Sequence, residues 1–328
     1  MKPLKPLSVY VHIPFCEKRC GYCDFVSCTQ TQDIDQYLQR LCAEIRAFNF
    51  HDYEVKTIYI GGGTPSLLSA EQLKMLFDCL PQCHGEVTIE ANPNSLTADK
   101  CAAYRRVGIN RLSLGVQSFD SNTLRVLGRL HGVKQAINAI KLAHEYFDNL
   151  SIDLIKDIPN HAFVTPPDAV LNMIQHISIY SLTKNDECVL DTDEPVNLPS
   201  EFERYEVSNY ARKGYESQHN LVYWTGGEYI GFGAGAHSLL NNQRFCNSSE
   251  ILNYKQQDIQ TRTQESIRHE KIMLGLRLRS GIALDLLKGK DEILNLLVEH
   301  GLIKLTTTHA IATEAGLKVL NQLWLKLV

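Results

Sequence analysis

Cys16-Glu17-Lys18-Arg19-Cys20-Gly21-Tyr22-Cys23 follows a strand-like segment, Leu7 to Ile13, and carries three thiols in eight positions. On a loop made tight by Pro14 and Gly21, three thiolates can hold three irons of a cubane and leave the fourth without a protein ligand. An open iron is a place for chemistry. A structural zinc site is the first alternative, but zinc usually takes four protein ligands, often as two C-x2-C pairs. Here His12 alone stands near enough to complete such a set. Unmetallated cysteines acting as small apolar residues are the second alternative, and the charged Glu17, Lys18 and Arg19 between the thiols weigh against it.

The remaining composition is that of an ordinary globular protein. A length of 328 residues suffices for one large domain and a small one, and the contents are 44% hydrophobic and 21% charged. A net charge of −4 argues against a bulk nucleic-acid binder. Neither a secretory h-region nor a run of roughly 18 apolar residues occurs, so no integral membrane protein is expected and the chain is placed in the cytoplasm. Ten cysteines in that setting read as reduced thiols and metal ligands. Cys28, Cys42, Cys79, Cys83, Cys101, Cys188 and Cys246 share no spacing and are assigned to the core or surface.

Strand-like and helix-like stretches alternate over the first half. The strands expected are Leu7 to Ile13, Thr57 to Ile60, Val87 to Glu90, Arg111 to Gly115, Leu150 to Ile155 and Ile177 to Tyr180. Apolar residues at helical spacing predict helices over Ile34 to Phe48, Ala70 to Leu80, Ala98 to Val107, Ser121 to Tyr146 in two pieces around Gly132, and Asp168 to Gln175. Six such units predict an α/β fold, an incomplete (β/α)6-type barrel with its chemistry at the C-terminal ends of the strands. The informative residues fall there. Gly61-Gly62-Gly63-Thr64-Pro65 follows strand two, Glu90 ends strand three, Gln117 follows strand four, and Asp153 lies on strand five. A carboxylate in an apolar strand is costly unless hydrogen-bonded; ribose hydroxyls, an amine or an internal arginine would each satisfy it.

Tyr10-Val11-His12-Ile13-Pro14-Phe15-Cys16, with the C-x3-C-x2-C spacing after it, resembles the start of the radical S-adenosylmethionine (SAM) enzymes of the anaerobic coproporphyrinogen III oxidase family. With gaps, the likeness runs over nearly the whole chain. It implies a [4Fe-4S] cluster on Cys16, Cys20 and Cys23, with the open iron chelated by the amine and carboxylate of SAM. An external electron donor would drive C–S cleavage to a 5′-deoxyadenosyl radical. By the same resemblance Gly62, Gly63 and Thr64 meet the methionyl end of SAM, and Tyr10, Tyr22, Glu90, Gln117, Arg129 and Asp153 match SAM-contacting positions. There are two departures. Lys156-Asp157 replaces an aromatic and a glycine after strand five, and the stretch from Thr183 to Phe202 is shorter than the family's, which implies exposed apolar surface or a partner in its place.

Residues 1–182 are assigned to the barrel, 183–264 to a linker and heme-motif region packing on it, and 265–328 to a small, mostly helical, winged-helix-like domain. That last domain lacks the basic stripe of a nucleic-acid binder. Oxidases of the family carry a further cysteine two residues after the third ligand, whereas Phe25 stands here, as in the family's heme chaperones. His219-Asn220-Leu221-Val222-Tyr223-Trp224 is similar to the chaperones' HNxxYW heme-associated motif. A neutral imidazole can ligate heme iron, and the aromatics offer flat apolar area; a buried histidine beside two core aromatics is the bland alternative. His237 is a second candidate. The resemblance thus implies heme binding and transfer to an acceptor protein, membrane-bound acceptors included. An oxygen-independent coproporphyrinogen III oxidase is the alternative.

Overall fold

The computed structural model describes residues 3–182 and 196–328. Its first half is a run of β/α units: β1 (Lys5–Ile13), α1 (Ile34–Ala47), β2 (Tyr53–Gly62), α2 (Ala70–Phe77), β3 (Glu86–Ala91), α3 (Ala98–Arg106), β4 (Arg111–Gln117), α4 (Ser121–Val126), α5 (Val133–His144), β5 (Asn149–Lys156), α6 (Asp168–Leu171) and β6 (His176–Ser181). Strands β1 to β6 lie side by side in chain order and all pair in parallel. Local chemistry sets the helix starts. Ser69 and Gln72 form a reciprocal capping box on α2, and the Thr97 hydroxyl accepts from the Lys100 N–H on α3.

The second half extends the same sheet at both edges. β7 (Glu203–Arg204) and β8 (Asn209–Ala211) add antiparallel strands beyond β6; after α7 (Gln218–Thr225), β9 (Tyr229–Phe232) pairs in parallel with β1. β10 (His237–Leu240), β11 (Gln243–Asn247) and β12 (Gln256–Thr261) continue outward, giving the order β12-β11-β10-β9-β1-β2-β3-β4-β5-β6-β8-β7. The six-stranded barrel read from the sequence therefore gains a seventh parallel strand through β9. Of the stretch from Thr183 to Phe202, residues 183–195, with the 182/183 boundary and Cys188, lie outside the described residues. From 196 onward, Val196 and Leu198 pack on the main core and Phe202 is buried.

Alternation along the strands divides the barrel. Val9, Val11, Ile13, Ile58, Ile60, Ile89, Leu112, Leu114, Val116, Ile152 and Leu154 form the buried apolar core beneath the helices. The opposite parity is polar: Ser8, Tyr10 and His12, then Thr57 and Tyr59, Glu86 and Glu90, Arg111 and Ser113, Ser151 and Asp153, His176 and Ser178. Neighbouring strands pair several of these side chains, by hydrogen bonds from Thr57 to Ser8 at 2.8 Å and between Ser151 and His176 at 2.8 Å, and by an ion pair of Arg111 with Glu86 at 3.8 Å. A polar lumen can take a polar ligand.

The C-terminal part comprises α8 (Gln264–Gly275), β13 (Ile282–Ala283), α9 (Asp291–Glu299), β14 (Ile303–Leu305), β15 (His309–Ala312), α10 (Glu314–Lys318) and α11 (Leu320–Leu327), with a three-stranded antiparallel sheet in the order β13-β15-β14. Ile272, Leu276, Leu294, Ile303, Leu320 and Leu323 belong to its own apolar core. α10 and α11 are separated at Val319, whose φ of −116° and ψ of 29° leave the helical region. Among the described residues no helix is long and apolar enough to cross a membrane.

Candidate functional site

At the C-terminal ends of the parallel strands lies a cavity of about 610 Å³. Cys16, Cys20, Tyr22, Cys23, Gly62, Gly63, Thr64, Glu90, Gln117, Arg129 and Asp153 all line it. Tyr10 and His219 do not. The cysteine loop is closed at its base by backbone: the Cys16 N–H donates to the Cys28 carbonyl at 2.9 Å, and the Cys28 N–H donates to the Pro14 carbonyl at 2.7 Å. Phe15, fully buried, meets Tyr37 edge to face at 5.4 Å and anchors the start of the loop.

The glycines of the GGGTP segment serve this loop directly. A Cβ at Gly63 would stand 2.8 Å from Cys16 Sγ, and one at Gly62, whose φ is +121°, would strike the His12 ring at 2.8 Å. Glycine is what lets β2 end against the cysteines. A polar chain then joins two thiols: Thr64 Oγ1 donates to Cys16 Sγ at 3.6 Å, Asn92 Nδ2 to Thr64 Oγ1 at 3.0 Å, and Arg129 both to Asn92 Oδ1 and to Cys20 Sγ, the latter at 3.5 Å. Arg129 also donates to the Gly115 carbonyl at 2.9 Å, while its Nε is buried without a partner. Burial pushes the Cys16 and Cys23 thiols up from their ordinary range, opposed at Cys16 by the Thr64 hydroxyl. Among the described residues no three His, Cys, Asp or Glu come close enough to hold one metal ion.

Across the cavity, Glu90 accepts from Tyr59 Oη at 2.8 Å and from the Gly62 N–H at 3.1 Å. Burial first, then the facing Asp153, raises its carboxyl to about 7. Asp153 takes the Ser113 hydroxyl at 3.2 Å to each oxygen, and burial raises it too. Gln117 sits at φ +68°, where the β4–β5 register shifts between Gly115 and Gln117. A bulge with a left-handed non-glycine residue stores strain and re-aims the strand end into the cavity. Along the rim, Tyr22 packs on Leu127, Ile155, Ile158 and Leu182, so the departure at Lys156-Asp157 leaves an apolar wall.

Two sequence candidates sit elsewhere. The Tyr10 hydroxyl pairs with His12 Nδ1 at 2.9 Å, and its ring stacks on Tyr59 at 6.2 Å. His219 is buried, with Nδ1 at 2.7 Å from Thr57 Oγ1 and Nε2 at 2.8 Å from Tyr223 Oη. Both imidazole nitrogens are occupied by protein, so the heme-ligand expectation for His219 does not fit this conformation. His237 is exposed at the start of β10. Sequence reading passed over Asn92, Ser113 and Tyr180 in the cavity wall, and Tyr59 behind Glu90. Strand parity held the signal, since Asn92 and Tyr59 share the inward parity of Glu90 and Gly61.

The fold and the cavity together define a radical SAM barrel protein, and the Radical SAM superfamily model matches residues 10–163. The chain is similar to the heme chaperone HemW of Bacillus subtilis (strain 168), at 32% identity over 97% of this chain and 98% of that protein. It is similar also to the heme chaperone HemW of Escherichia coli (strain K12), at 38% identity over 72% and 71% of the two chains. It belongs to the HemW family of radical SAM proteins. Among solved structures, coproporphyrinogen III oxidase (HemN) from Escherichia coli shares the fold, with a TM-score of 0.78 and 21% identity over 99% of this chain and 90% of that one.

Proposed function

We propose that the protein is a heme chaperone that holds a [4Fe-4S] cluster on Cys16, Cys20 and Cys23, takes SAM in the same cavity, and carries heme to an acceptor protein. Phe25 carries the choice. At the position where the family's oxidases have a further cysteine, its ring lines the cavity mouth and is 64% exposed, a flat apolar surface for a macrocycle. The names of the two curated relatives point the same way. At the same end of the sheet the backbone of Gly235 lies against Val26, next to Phe25, and the exposed His237 ring follows two residues later. This exposure, against the two occupied nitrogens of His219, favours His237 as the imidazole for heme iron.

The residues present fit the resident groups. Three thiols share one cavity, hydroxyl and guanidinium donors are turned toward their sulfurs, and the buried Arg129 Nε awaits an acceptor. When bound, the cluster supplies one electron from an external donor to SAM. Thr64 and Arg129, braced by Asn92 between them, would meet the negative charge of the thiolates, while Asp153 and Glu90 would offer acceptors to hydroxyl or amine groups. Asp153→Ala is expected to cost roughly 1 to 3 kcal/mol of SAM binding, seen by calorimetry as an affinity reduced at least several-fold. Unchanged affinity would move the ribose site elsewhere.

The function itself is tested by titrating anaerobically reconstituted protein with heme and assaying coproporphyrinogen decarboxylation in parallel. Heme binding without decarboxylation is expected, with a Soret band that weakens or shifts in His237→Ala and persists in His219→Ala. Decarboxylation without heme binding reverses the choice in favour of the oxidase. A Soret band altered only in His219→Ala returns the ligand to α7.

A further inference from the structure

The HNxxYW motif is left unused by the function above, yet it occupies the inner end of the barrel. The N-terminus of α7 enters the lumen beneath the cavity, where Glu86 accepts from Ser217 Oγ at 3.4 Å, from the Gln218 N–H at 3.1 Å and from the His219 N–H at 3.1 Å. Arg111, as deeply buried, neutralises that carboxylate. His219 is therefore locked in place by its own backbone before its ring makes any contact.

The ring has one orientation. Thr57 Oγ1 donates to Ser8 Oγ, so it accepts from His219 Nδ1–H, and Nε2 accepts from the Tyr223 hydroxyl. Burial drives this imidazole down to about 3, which keeps it neutral. Its face lies on the Tyr59 ring, with centroids 5.1 Å apart and an interplanar angle of 30°. Tyr59 in turn donates its O–H to Glu90, and a Cβ at Gly61 would stand 2.9 Å from the Tyr59 ring and 3.2 Å from the Glu90 carboxylate. The tyrosine is thus gripped between an imidazole below and a bare glycine backbone beside it.

We infer that His219 and Tyr223 are positioning residues: α7 forms the floor that holds Tyr59, and through Tyr59 the Glu90 carboxylate, at the wall of the cavity. Removing the imidazole opens space into which the Tyr59 ring drops. Glu90 then loses one of its two donors and keeps the Gly62 N–H. A carboxylate stripped of a donor titrates higher. The other groups whose charge reaches Glu90 are Asp153 on β5, Arg111 on β4, Tyr10 on β1, Tyr180 on β6 and Tyr223 on α7. Burial pushes those three phenols well above their ordinary value, so they stay neutral while Glu90 titrates.

The test reads Glu90 directly. An infrared pH titration of the full chain follows the carboxylic-acid band that disappears in Glu90→Gln; its midpoint in the wild type is expected at about 7. Tyr59→Phe and His219→Ala should both raise that midpoint, by about one unit for a lost hydrogen bond to a charged group. Tyr223→Phe, which removes one hydroxyl, should raise it less and serves where the alanine variant fails to fold. His219→Phe, keeping a flat ring against Tyr59, should stay nearer the wild type. A wild-type midpoint in both His219→Ala and Tyr223→Phe, or a shift in Tyr59→Phe alone, overturns the inference. Its value for function rests on the SAM reading, which a parallel calorimetric titration with SAM tests separately. Shifted infrared midpoints with no SAM binding would sink that reading and leave the positioning role standing.

Discussion

Replacing Cys16, Cys20 or Cys23 by alanine is expected to abolish iron and sulfide in anaerobically reconstituted protein, whereas Cys28→Ala retains both. Cys28 is the rival because it closes the same loop. Its part in that closure is played by backbone, through paired hydrogen bonds with Cys16 and Pro14, and its thiol is absent from the cavity wall that the other three share. Alanine at 28 keeps every one of those backbone bonds. Alanine at 16, 20 or 23 leaves at most two thiolates for a cluster that takes three from the chain, and no other described cysteine lines the cavity. Iron and acid-labile sulfide analysis, with the visible absorbance of the cluster, reads the outcome. Equal loss in Cys28→Ala and in the triad variants would refute the assignment.

How much of this was legible beforehand depended on whether the information was local. The six parallel strands were readable because each sets Val, Ile or Leu at alternate positions, with turn residues near its ends, and the expected Arg111 to Gly115 and Leu150 to Ile155 fall within β4 and β5. The cavity's thiols, glycines and carboxylates were readable because the motifs stand at strand ends, where a β/α barrel gathers them. Pairing of β9 with β1 was not readable. It joins Tyr229 to Ser8 across most of the chain, and no pattern within either strand announces the partner. His219 shows the same limit from the side of chemistry. A ligand and a plug can carry the same six residues, and the difference lies in Thr57 and Tyr59, contributed by β2. The bulge at Gln117 was equally hidden, since its left-handed backbone arises from the β4–β5 register rather than from a glycine.

The second large effect is expected at the opposite end of the barrel, where Glu86→Ala should destabilise the protein by about 3 to 5 kcal/mol. Glu86 and Arg111 are 3% and 2% exposed and face each other at 3.8 Å, so deleting the carboxylate leaves a guanidinium buried beside an uncompensated cavity. The same deletion removes the acceptor for two backbone N–H groups and a hydroxyl at the start of α7. Those donors lie in the first turn of the helix, where the chain has no carbonyls of its own to offer them. With typical domains stable by only about 5 to 15 kcal/mol, such a loss consumes much of the margin. The exposed pair Lys74–Asp78 at 2.7 Å provides the contrast, since breaking it should change stability by less than about 1 kcal/mol. Denaturant unfolding of the two variants measures both. Replacing Arg111 by Met in the Glu86→Gln background removes the stranded charge while glutamine keeps an acceptor for α7, and should recover part of the stability. If Glu86→Ala proves no more damaging than Asp78→Ala, the pair does not hold α7 in the barrel, and the support proposed for His219 loses its foundation.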